Sequence, residues 1–183
     1  MLRNGADGFG LVSRAIHWLM AAGILAMLVL GSVLVRMQPG LANLWLYGLH
    51  KTIGLTLLAL VLARLVWHRI SPPPEPIGGV PDWQMRAAGW AHRGLYVLMI
   101  AIPLSGWVAS SATGIDVMFA DRWVMPALAP VSEAWEKAGF AVHGVLTKAL
   151  MALVVLHVAG AVKRGLARDG TLGRMVTGRQ RAQ

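Results

Sequence analysis

Six histidines carry the chemistry this sequence could do. They stand at His17, His50, His68, His92, His143 and His157. Imidazole serves as an acid, a base or a metal ligand near neutral pH. Thiol chemistry is closed, because the chain has no cysteine. That removes disulfides, iron–sulfur clusters, thiolate zinc sites and covalent haem attachment through C-x-x-C-H.

His143 and His157 are the most informative pair. Fourteen residues at ~100° each place them within ~40° of one helix face, separated by ~21 Å along the axis. One helix then offers imidazole to the same side at two depths, as two haems stacked across a membrane require. Each iron needs a second axial ligand at matching depth. At the outer level His50 is available. At the inner level His17, His92 and His68 compete. The competing account is a packing or interface role. It is strongest for His68, beside Arg69 and a polyproline exit, and evenly balanced for His92, whose other role would be beside an inner haem or a quinone.

The elements that must position these rings are membrane spans. The chain has 183 residues, 56% of them hydrophobic and only 14% charged, with a mean hydropathy of +0.59. A soluble domain would carry more charge and shorter apolar runs. Four apolar stretches cover about 11–35, 46–67, 87–110 and 138–162. Each approaches or exceeds the ~20 residues needed to cross a bilayer. The first is too long for a signal-peptide core and is followed by no A-x-A-like site. The expectation is an all-α, four-helix transmembrane bundle forming a single membrane domain over residues 1–183. Depth in these spans makes the histidines candidates for function, since ionisable groups there are costly.

Arginine and lysine give the orientation. Arg3 and Arg14 flank the start, and Arg64, Arg69, Arg86 and Arg93 flank the second connection. Lys163, Arg164, Arg168, Arg174, Arg179 and Arg181 follow the last span. On the other side Asp116, Asp121, Glu133 and Glu136 outnumber Arg122 and Lys137, and Arg36 stands alone in the first connection. Both termini and the second connection are therefore expected in the cytoplasm. The net charge of +9 suggests no nucleic acid here, because the apolar runs leave no soluble basic face. The partner implied by the apolar runs is lipid.

Several other residues bear on the site. Arg64 follows His50 by fourteen residues and faces nearly the same side of the second span. A buried arginine needs an anion, and haem propionates would serve. Arg14, three residues before His17, could do likewise; the plainer account is that both mark the cytoplasmic boundary. Lys51, beside His50, could draw a small anion to the outer surface. Lys148 points ~140° from His143 and ~180° from His157, which suits a snorkelling side chain. Seven glycines, including Gly31 and Gly106, suit close packing of helices or of a flat macrocycle. Pro103 is expected to kink the third span. Pro72-Pro73-Pro74 makes a stiff exit from the second. The third connection, about 111–137, has Phe119, Trp123, Met125 and Trp135, as a segment lying at the interface would.

Taken in order, these residues resemble the bacterial cytochrome b561 family nearly from end to end. The resemblance rests on Arg14-Ala15-Ile16-His17-Trp18, on His50-Lys51-Thr52-Ile53-Gly54 with Arg64 and the proline exit, and on Ala91-His92-Arg93-Gly94-Leu95-Tyr96 with Pro103 and Gly106. It continues through His143 and His157 to Arg168-Asp169-Gly170-Thr171-Leu172-Gly173-Arg174-Met175. It implies two b-type haems, with His17 and His157 holding the cytoplasmic one and His50 and His143 the outer one. It also implies electron transfer between the outer face and ubiquinone or another quinone, with superoxide as one donor. Related members are haem subunits that relay electrons for a partner dehydrogenase or hydrogenase. From the residues alone, a transporter using histidines as proton relays is the remaining alternative.

Overall fold

In a computed structural model of the protein, residues 1–178 are described. Arg179 and Arg181, part of the basic tail, lie outside them. Four long helices dominate: α1 (Leu11–Leu34), α2 (Leu44–Ile70), α3 (Asp82–Ala112) and α4 (Glu133–Leu166). All four are long and apolar enough to cross a membrane. Their cores coincide with the expected apolar stretches, but three run further. Helix α3 begins at Asp82, an acidic residue in the first turn, where a carboxylate complements the helix dipole. Helix α4 begins at Glu133 and adds Glu136 in its first turn, and it ends with Lys163 and Arg164. Hydropathy alone does not register these polar extensions. Helix α3 continues through Pro103 to Ala112.

The connections hold smaller elements. A two-stranded antiparallel hairpin, β1 (Met118–Phe119) and β2 (Trp123–Val124), occupies the third connection. Its turn is closed by a bond from Arg122 N–H to the Phe119 carbonyl. The central residues Ala120 and Asp121 both have positive φ, 53° and 51°, as tight hairpin turns that match strand twist require. A short helix, α5 (Thr171–Val176), follows α4.

The chain forms two compact units, and each long helix contributes a segment to both. Among the described residues the first unit comprises Met1–Ala21, Leu60–Tyr96 and 152–178. Its polar connections are tied to one another. The Asn4 side chain donates to the Ser71 and Pro72 carbonyls, and its oxygen accepts from Gly10 N–H. The proline-rich exit of α2 is short of N–H donors, but its carbonyls remain strong acceptors. Arginines use them: Arg164 donates to Ile77 and Arg174 to Glu75. Arg164 also pairs with Asp169.

The second unit comprises Ala22–Ala59 and Val97–Met151. Here α3 and α4 touch backbone to backbone: a Cβ on Gly139 would lie 2.8 Å from that of Ala109. The hairpin packs on α2 through Ala120 N–H, which donates to Thr52 Oγ1. Asp121 lies over Gly48, where a Cβ would meet its carboxylate at 2.7 Å. Trp107 reaches the Pro126 carbonyl from α3. Across both units, buried apolar side chains are few among the described residues, with Met20, Val61, Leu98, Ala109 and Leu150 among them, while large apolar residues cover the outside of every span. Such a surface is stable only against hydrocarbon.

Candidate haem-binding residues

Each unit holds facing histidines. In the second unit α2 supplies His50 and α4 supplies His143, with ring centroids 6.2 Å apart. In the first unit α1 supplies His17 and α4 supplies His157, again at 6.2 Å. Two imidazoles binding one metal from opposite sides, each with a bond of about 2 Å, put their centroids roughly 6 Å apart. Both pairs have that spacing. His92, from α3, lies closer to His157, at 5.2 Å and nearly edge-on, and its ring bonds to the Ala88 backbone. The described residues contain no cluster of three or more metal-ligating side chains. A haem needs only two, because the macrocycle supplies four nitrogens.

The hydrogen bonds of His143 fix its chemistry. Its Nδ1 lies 2.9 Å from the Ile102 carbonyl. A carbonyl only accepts, so Nδ1 must carry the proton and Nε2 is left with a free lone pair. That is the tautomer of a metal ligand. Ser105 donates its hydroxyl to the same carbonyl at 2.8 Å and brings its oxygen 3.2 Å from Nδ1. Gly106, one turn beyond Ile102, leaves room for the ring. His50 Nδ1 is buried without a hydrogen-bond partner among the described residues.

A buried arginine stands in the first unit. Arg64 is only 8% exposed. Its Nε donates to the Tyr96 hydroxyl at 2.8 Å and one terminal nitrogen reaches the Ser13 carbonyl at 3.4 Å. Its charge is felt at His17, His68, His92 and His157. Among the described residues no carboxylate lies within ion-pairing distance of it; the ion pairs there are Lys137–Glu133 and Arg164–Asp169. A buried cation without an anion is costly unless something anionic joins it, so the residues present fit a haem bearing propionates. Arg14 donates to the Thr177 carbonyl, while its Nε is buried and has no hydrogen-bond partner among the described residues.

The remaining expected residues are placed as follows. Lys51 is half-buried beside His50, and Lys148 is exposed on α4. His68 is half-buried, and its Nδ1 lies 3.4 Å from the Tyr96 hydroxyl, which itself accepts from Arg64. Sequence reasoning missed Tyr96 and Ser13 as partners of Arg64. Tyr96 follows His92 by one helical turn, which is a usable signal; the Ser13 and Ile102 carbonyls leave none, because every residue has one.

Comparison with known proteins agrees on one lineage. The sequence pattern of the prokaryotic cytochrome b561 family matches residues 8–178. Cytochrome b561 homolog 2 of Escherichia coli K12 is 32% identical over 179 residues, covering 94% of this chain and 93% of that protein. Cytochrome b561 homolog 1 of the same organism is 31% identical over 146 residues, covering 72% of this chain and 74% of its own.

Proposed function

The chain belongs to the prokaryotic cytochrome b561 family and is a multi-pass protein of the inner membrane; on that premise we propose that it binds two b haems and passes electrons between a periplasmic donor and membrane quinone. The observation that carries this reading is the paired histidines. His17 with His157, and His50 with His143, repeat one spacing, and α4 supplies a member of each pair.

The chain's own residues would do the following. The four histidines hold and orient the two haems through their ring nitrogens. Bound haem supplies a one-electron iron couple that no side chain here provides. Arg64 and Arg14 neutralise propionates. His92 stands beside His157 and would hydrogen-bond a propionate or a quinone carbonyl. Lys51 attracts a small anion to the outer end of α2. The apolar helix surfaces keep water from the buried rings.

In this reading superoxide is the donor and ubiquinone the acceptor. Two superoxide anions each give up one electron and leave as dioxygen. One quinone takes both electrons with two protons and becomes quinol. The test is quinol formation in liposomes containing the purified holoprotein and ubiquinone, with superoxide generated outside. Quinol should appear at two superoxide anions per quinol, and His50→Ala should abolish it. No quinol formation by a haem-replete protein that copurifies with a dehydrogenase would instead make it an electron-relaying subunit.

A further inference from the structure

The two histidines of the second unit are held unequally. His143 is clamped on its far side by α3: Nδ1 donates to the Ile102 carbonyl at 2.9 Å, with the Ser105 oxygen at 3.2 Å. Gly106 makes this approach possible. A Cβ there would stand 3.0 Å from Cε1 and 3.1 Å from Nδ1, closer than the ring tolerates without moving. His50 has neither feature. Its Nδ1 is buried without a hydrogen-bond partner among the described residues. A Cβ on Gly31 would make only ordinary contact with it, 3.4 Å from Cε1 and 4.0 Å from Nδ1.

Resting on the haem reading above, we propose that Ile102 and Gly106 are positioning residues that make His143 the stronger electron donor of the pair and lower the reduction potential of the haem it would hold. An imidazole whose remote N–H donates to a carbonyl gains basicity at its metal-binding nitrogen. A more basic axial ligand favours ferric over ferrous iron. Ile102 and Gly106 lie one turn apart on α3, so a side chain at 106 pushes the ring away from α3. The bond to Ile102 then lengthens, donation falls and the potential rises. No such loss follows at Gly31, because His50 Nδ1 has no acceptor among the described residues to lose.

The test is a redox titration of purified holoprotein, with the haem of the first unit as internal reference. Gly106→Ala should shift the ferric-to-ferrous balance of one haem roughly tenfold toward ferrous, an upward move of about 59 mV for one electron. The other haem should stay in place, and Gly31→Ala should move neither. An unchanged potential in haem-replete Gly106→Ala, or equal shifts in both variants, overturns the proposal. A second measurement needs no variant. Electron–nuclear double resonance of the wild-type protein with Nδ1-labelled histidine should give unequal remote-nitrogen couplings for the two ligands of that haem. Equal couplings overturn the proposal while leaving the haem reading intact. Wild-type protein without haem overturns that reading, and the proposal with it.

Discussion

Arg64 shows most clearly how one residue links folding to function. It is buried, it bonds to Tyr96 and Ser13, and among the described residues it meets no carboxylate. Its burial is therefore a cost to the apoprotein that an anionic cofactor offsets. Arg64→Met should accordingly act with opposite signs. The apoprotein should be as stable or more so, by up to about 4 kcal/mol less whatever the Tyr96 bond contributes. The holoprotein should lose haem roughly tenfold to hundredfold more readily, the worth of about 1.5–3 kcal/mol for hydrogen bonds to a charged group. Thermal denaturation of both forms and haem transfer to an apoprotein acceptor check the two halves. Weaker apoprotein with unchanged haem retention would make Arg64 a packing residue.

At the scale of elements, the long helices and their histidines were legible because a bilayer imposes simple rules. Length and hydropathy located the cores of α1 to α4, and the 3.6-residue period put His143 and His157 on one face. The hairpin at 118–124 was not legible. Two residues per strand show no alternation, and Ala120-Asp121 lacks the Asn-Gly signature of its turn. Phe119 and Trp123, expected as interfacial aromatics, also pair across the strands, with rings 5.9 Å apart. Helix α5 is a single short stretch held by tertiary bonds, and no local pattern announces it. The turn itself carries an expectation. An alanine with φ of 53° costs roughly 1–2 kcal/mol, which asparagine tolerates better. Ala120→Asn should raise the stability of the purified protein by about 0.5–1 kcal/mol, read as an upward shift in melting temperature. A lower melting temperature would show that alanine is held there by packing against α2.

At the scale of the whole molecule, charge asymmetry sets direction. By the positive-inside rule, the basic residues of both ends and of the second connection lead us to propose that those segments face the cytoplasm. The absence of native cysteine gives a clean assay. Single cysteines at positions 40 and 130 should label with an impermeant maleimide in intact cells, while those at 78 and 170 should label only after lysis. The reverse pattern would invert the membrane orientation and move the His50–His143 pair to the cytoplasmic side. The central claim is independent of that outcome and rests on the two histidine pairs at matched spacing. It is tested most directly by the optical spectrum of detergent-purified protein, oxidised and dithionite-reduced, with haem quantified per chain after expression with adequate haem. Two low-spin b haems per chain are expected in the wild type and one in His50→Ala. A haem-free wild type, or a His50→Ala protein that keeps two low-spin haems, would contradict it.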